Sequence, residues 1–120
     1  MSKTTISLEE IQNTLAHFSG SEEFHRVGNS LITEGVHYLS ETCGSYWLID
    51  IINSIQWMPK LRAEGFQVFN LTVFNNTATV VVSDGNQSLL YFQKIDHTDF
   101  PLERITLWRV NDTVMLTSEY

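Results

Sequence analysis

This sequence predicts an α+β fold in which N-terminal helices pack on a four- to five-stranded antiparallel β-meander. Three observations carry that expectation. Apolar residues recur at helical spacing as far as about residue 64, and from Phe66 onward the period changes to two. The joints between the later runs are short and built from Asn, Asp and Gly. Helices first and consecutive hairpins afterwards place the helices over one face of an antiparallel sheet. The 120 residues, 42% apolar and 18% charged, suit one ordered domain with a single core, helical over about 7–64 and a meander over about 66–118.

The first helix is marked by a capping box, with Ser7 as N-cap and Glu10 three residues on, and by Ile6 and Ile11 at the two staple positions. Leu8, Ile11, Leu15 and Phe18 form its apolar stripe, and Gly20 ends it. The less regular SEEFHRVGNSLIT follows, anchored by Phe24, Val27, Leu31 and Ile32, with a short strand near Asn29 to Ile32. Thr33 caps a second helical piece, Glu34 to Glu41, with Val36 and Leu39 facing inward. Cys43-Gly44-Ser45 reads as a tight junction. A long helix then runs from Gly44 to Met58 and stops at Pro59, and Lys60 to Gly65 is a polar connector.

The runs FQVFNLTVF, TATVVVS, SLLYFQKI, RITLWRV and TVMLT are rich in Val, Ile, Thr and aromatics, as strands are. Asn75-Asn76 and Asn111-Asp112 are two-residue links whose side chains tolerate φ > 0, as a type I′ hairpin requires. Asp84-Gly85-Asn86 makes a slightly longer hairpin. The HTDFPLE link is long: Asp99 is expected to accept backbone N–H bonds there while Phe100 plugs the core. In the first run Phe69, Leu71 and Val73 alternate with Phe66, Val68 and Phe74, so both faces are apolar. Such a sheet has either layers on both sides or a patch that a partner covers.

The net charge of −7 is spread evenly, −4 over residues 1–60 and −3 over residues 61–120. The seven Lys and Arg are scattered, which disfavours direct nucleic-acid binding, since that needs clustered cations for the phosphates. Acidity of this kind suits solubility or steering toward a basic partner. No apolar run approaches the ~20 residues of a membrane span. The start, MSKTTISLEEI, lacks the basic-then-apolar layout of a signal peptide. The lone Cys43 excludes an intrachain disulfide and fits a reducing interior. A cytoplasmic protein, not membrane-bound, is expected.

Recognisable chemistry is sparse. Cys43 and His37 lie about 240° apart on a continuous helix, so they form no local nucleophile–base pair. His25, His37 and His97 with Asp96 and Asp99 show no HxxxH, HxH or CxxC spacing, so neither a metal nor another cofactor is expected. No Gly-rich phosphate loop or GxSxG occurs. The most informative stretch is the long helix itself. Leu48, Ile51, Ile52 and Ile55 fall on one face, and Tyr46, Asp50, Asn53 and Trp57 form a narrow stripe on the other. That stripe supplies the interface or ligand candidates. No catalytic residue is assigned, although a desolvated Asp50 would be the acid of choice if the stripe lined a pocket.

Taken in order, GVHYLSETCGSYWLID, GFQVFNLTV, SDGN, HTDFPLERITLW and the closing LTSEY resemble a family of small uncharacterised bacterial and phage-associated proteins, a domain of unknown function. The resemblance runs from about Phe24 to Tyr120, with YWLID and TDFPL its most specific blocks. It implies no activity, cofactor or catalytic residue; association with phages and mobile elements implies action by binding another protein. The expected function is therefore a non-enzymatic protein-interaction module, acting as a homodimer or on a host or phage protein. One form of it is an inhibitor that fills a basic nucleic-acid groove. The alternative is a small enzyme or small-ligand binder with a pocket around Asp50, between the long helix and the sheet.

Overall fold

The computed structural model describes residues 7–120 apart from Ser21 and Gln87. In chain order the elements are α1 (Leu8–His17), β1 (Phe24–Val27), β2 (Ser30–Thr33), α2 (Glu34–Cys43), α3 (Tyr46–Ser54), α4 (Pro59–Arg62), β3 (Phe66–Phe74), β4 (Thr77–Ser83), β5 (Leu89–Ile95), β6 (Arg104–Val110) and β7 (Thr113–Leu116), then a 3-10 turn (Thr117–Glu119). The α+β class stands, but the sheet has seven strands in the order β1-β2-β7-β6-β3-β4-β5, more than the four or five expected. Only α1 precedes the first strand.

Two departures produce that order. The irregular segment after α1 folds into the β1–β2 hairpin, turned at Gly28, whose φ of 61° is the left-handed region glycine favours. A side chain there would also collide with Asn53, whose Nδ2 lies 2.5 Å from where a Cβ would stand. β2 then pairs in parallel with β7, Ile32 beside Val114, so the N-terminal hairpin joins the sheet through its second strand. Second, β6 does not continue the meander beside β5; it returns to pair with β3. That crossing spans about three strand spacings, roughly 14 Å, beyond a two-residue turn but within reach of residues 96–103. The link passes the tip of the β3–β4 hairpin, where Thr98 N donates to Asn76 O at 2.8 Å and Asn76 Nδ2 donates to Thr98 O at 3.3 Å. Phe100 and Leu102 enter the core here, as expected for Phe100. The acceptor that turns the chain is the Thr98 hydroxyl, which takes Phe100 N–H at 3.1 Å, and not Asp99, which is exposed.

The helical signals read well at their starts. The Ser7/Glu10 capping box is present on α1, while the Ile6 half of the staple lies outside the described residues. Thr33 caps α2 through Val36 N–H, and Gly44 closes that helix at φ 62°. The long helix is shorter than the sequence suggested: α3 ends at Ser54, and Pro59 opens α4 as its first residue, where its missing N–H costs nothing. Leu48, Ile52 and Ile55 are core as expected, but Ile49 joins them while Ile51 stays half-exposed. Within α3 the buried face centres on Ile52 with Leu48 and Ile49 to either side, and Ile51, about 100° round from Ile52, falls at its margin.

Register resolves the ambiguous faces. Phe69, Leu71, Val80, Val82, Leu107, Val114 and Leu116 are buried on one side with the helices. On the other side Val68 stands between Trp108 and Ser83, Asn70 between Thr106 and Val81, and Val81 beside Phe92. None of the helices covers that second face.

The 3-10 turn latches the two ends of this layer together. Glu119, itself buried, accepts from Thr33 Oγ1 at 2.5 Å and Leu116 N at 3.0 Å with Oε1, and from Gly35 N at 3.1 Å with Oε2. A carboxylate at the first turn of α2 meets the positive end of the helix dipole and two otherwise orphaned donors. The approach needs a glycine: a Cβ on Gly35 would lie 2.5 Å from Leu116 Cδ1 and 2.7 Å from Glu119 Oε1. Gly35→Ala is therefore expected to lose about 1–3 kcal/mol of stability. Gly65→Ala, whose Cβ would meet only Asn111 Oδ1 at 3.4 Å, serves as the near-neutral control in thermal unfolding. Equal midpoints for the two variants would mean that the latch yields freely.

Candidate functional site

The stripe Tyr46, Asp50, Asn53 and Trp57 does not form one surface. Tyr46 is half-exposed and donates its hydroxyl to Glu41 Oε2 at 2.8 Å; burial and that carboxylate push the phenol up to about 12. Asp50 is exposed on α3. Asn53 turns inward, donating Nδ2 to Val27 O at 2.9 Å and accepting the Ser30 hydroxyl. Trp57, in the turn beyond α3, is 71% exposed.

Asn53 belongs to a buried polar network centred on Arg109 of β6. The guanidinium donates through Nε to Ser30 Oγ (3.2 Å), through Nη1 to Asn111 O (2.6 Å) and Gln56 Oε1 (3.2 Å), and through Nη2 to Asn29 O (3.2 Å). Gln56 and Gln67 exchange reciprocal amide bonds of 2.8 and 2.9 Å, and Gln67 Nε2 also reaches Leu61 O and Glu64 O. One cation thus ties the β1–β2 turn, the segment after α3, and the β6–β7 turn to the sheet. Burial pushes the guanidinium down from the usual arginine range, with Asp112 opposing that shift from a distance. Its direct acceptors are all neutral oxygens, an arrangement that holds structure rather than chemistry. Sequence reading passed over Arg109; its only signal was a charge at an inward position of an alternating strand.

The remaining titratable candidates divide similarly. His25 and His37 stack at 4.0 Å between ring centroids, and His37 Nε2 lies 3.8 Å from Glu41 Oε2. Among the described residues no three potential metal ligands converge. Burial pushes the Cys43 thiol up to about 11, away from nucleophilic use. Accepting N–H from Asn86 and Ser88 holds the exposed Asp84 carboxyl below its usual range.

Two surfaces remain. A groove of about 470 Å³ lies between α3 and β5, walled by Trp47, Ile51 and Ile95 and edged by Gln93, His97 and Asp99. It is the cleft between helix and sheet that the ligand-binder expectation required, yet Asp50 and Tyr46 do not line it. The other is the uncovered sheet face. Phe66, Trp108 and Tyr120 meet edge to face there, with centroids 5.2 to 6.5 Å apart, and Phe74 and Phe92 are 73% and 52% exposed. None of the chain's 14 Asp and Glu lies in a strand, whereas Arg26, Lys94 and Arg104 all point to the uncovered side by register. No helix among the described residues is long and apolar enough to cross a membrane.

Arg109→Ala strips the donors from two backbone carbonyls and two buried side chains. It is expected to cost about 3 kcal/mol in urea unfolding, whereas Asp50→Asn should stay within about 0.5 kcal/mol. Native Cys43 should be alkylated at about pH 8 at least ~100-fold more slowly than in urea; comparable rates would contradict its buried, protonated state.

No curated protein and no solved structure matches the chain. A family profile spans residues 9–120, reaching through α1 and so further upstream than the Phe24 boundary expected from the YWLID and TDFPL blocks. Over that span the chain belongs to a family of unknown function, DUF6876.

Proposed function

We propose that this protein is a non-enzymatic interaction module that docks through the uncovered face of its sheet, with a second copy of the chain as the occupant. The observation that carries the reading is a seven-stranded sheet bearing the described helices on one side, with aromatic and β-branched residues on the other and no Asp or Glu within any strand. Two copies, each of net charge −7, repel in most orientations. Approach through the carboxylate-free faces keeps the acids of both apart. Seven strands at ~4.8 Å by about 18 Å of strand offer roughly 600 Å² per copy, about 1,200 Å² in all, near the lower bound for a specific interface. Arg26, Lys94 and Arg104 lie at the edges and strand end of that face, around a centre where Val68, Val81 and Trp108 flank the Asn70–Thr106 pair.

The inhibitor form of the reading needs carboxylates gathered into a phosphate-like array, and they are spread over α1, α2, α3 and the loops. The small-ligand alternative around Asp50 is weaker, because Asp50 is exposed and does not line the groove beside α3. A cytoplasmic setting belongs to the same proposal and is supported by the single, buried, unpaired thiol.

Val81 sits on the uncovered face one strand in from the β5 edge, between Asn70 and Phe92. Val81→Lys should weaken the dimer at least ~100-fold in light scattering across a concentration series while leaving the melting midpoint nearly unchanged. A wild-type protein that stays monomeric up to about 500 μM would overturn the self-association reading.

A further inference from the structure

Among the described residues β5 ends the sheet on one side and pairs only with β4. It is the longer of the two edges, seven residues against four in β1, and the β1 side is partly covered where His25 stacks on His37. The usual protections of an edge are thin here. Leu89–Ile95 contains no proline, its only charge is Lys94, and the one irregularity lies at its start, opposite Val82 and Ser83. Beside this edge, on the helix side, runs the groove formed by Trp47 and Ile51 of α3 with Gln93 and Ile95 of β5. On the opposite side Phe92 and Leu89 stand exposed. A strand laid along β5 would therefore find backbone partners in the edge, an apolar slot for every second side chain, and an aromatic surface for the others.

We infer that the β5 edge and its groove form a docking site for an extended segment of another protein, one with apolar residues at alternate positions and basic residues at its ends. Charge selects that occupant. Asp84 precedes β5, Asp96 and Asp99 follow it, and Asp50 sits one turn from Trp47 on α3, all four exposed or at the surface. Against them stand Lys94 and the imidazole of His97. The same placement disfavours a second copy of β5: antiparallel pairing of two such strands brings the Asp84 end of one against the Asp96 end of the other. This site is distinct from the uncovered face and does not depend on dimerisation there.

The test uses the full chain and a fluorescent ten-residue synthetic peptide that alternates valine or isoleucine with threonine and ends in lysine on both sides. Two control peptides have glutamate ends, or N-methyl groups on alternate amides. Anisotropy should show saturable binding, at least ~10-fold weaker with glutamate ends and abolished by N-methylation. Amides of residues 90–95 should gain protection from hydrogen exchange. Ile51→Lys, at a half-exposed position, should weaken binding at least ~10-fold without changing the melting midpoint, and Thr106→Lys, on β6 and remote from the β5 edge, should leave it intact. Absence of saturable binding below ~1 mM, equal binding of the N-methylated peptide, or protection confined to residues 24–27 would each overturn the inference. So would a wild-type dimer that Ile51→Lys dissociates, since that assigns the edge to a second copy. A monomeric protein that binds the peptide through β5 removes the face-to-face dimer and leaves this site standing.

Discussion

The guanidinium of Arg109 is the interaction on which the arrangement of the helical layer depends. It projects from β6 into the side of the sheet that the helices cover and finds only neutral oxygens there, from Asn29, Ser30, Gln56 and Asn111. A cation so placed is costly unless each of its donors is met, and its acceptors come from three separated parts of the chain. The β1–β2 turn, the exit of α3 and the β6–β7 turn are therefore set by a single geometric requirement. Gln67 extends the same logic to α4, since its amide holds the carbonyls of Leu61 and Glu64 while pairing with Gln56. Apolar packing of Leu48, Ile49 and Ile52 supplies the drive to bury α3, but it is indifferent to small shifts along the helix axis. The polar network is not.

The sheet divides the molecule's chemistry along with its volume. Every carboxylate lies on a helix, a turn or a loop, and the strands keep only Arg26, Lys94, Arg104 and Arg109 as full charges. Arg109 is consumed by the core, which leaves the other three on the side without helices. A net charge of −7 therefore describes the molecule poorly as an average: one broad face is apolar with a basic margin, and the remainder is acidic. Partner selection follows from that segregation more than from any single residue, because an approaching surface meets different fields on the two sides.

Local signals were legible and long-range ones were not. The Ser7/Glu10 box, the Thr33 cap and the Gly44 stop could be read because their causes lie within four residues of each other. So could the Asn75-Asn76 turn, whose φ values of 51° and 63° are those a type I′ hairpin demands; at Asn111-Asp112 only Asn111, at 58°, adopts positive φ. The short strand expected near Asn29 to Ile32 is β2, but β1 and the hairpin escaped notice because four residues leave almost no periodicity, and the parallel partner of β2 lies some eighty residues away. Pro59 was read as a stop although proline is equally at home as a first helical residue. The Tyr46/Asp50/Asn53/Trp57 stripe assumed a helix continuous to Met58. Once α3 ends at Ser54, Trp57 leaves the series, and Asn53 is drawn inward by Ser30 and Val27, partners that no sequence spacing announces.

The latch made by Glu119 has a consequence for the order of assembly during synthesis. Its bonds to Thr33 and Gly35 join residues 86 and 84 positions apart, and β2 has no sheet neighbour but the local β1 until β7 exists. When a ribosome has delivered α2, the start of that helix still has two donors waiting for an acceptor more than eighty residues further along the chain. The N-terminal third therefore cannot complete these bonds until β7 and Glu119 have been made. A protein truncated before Glu119 would lack more than a tail: it would lack the group that tells its first half where to settle.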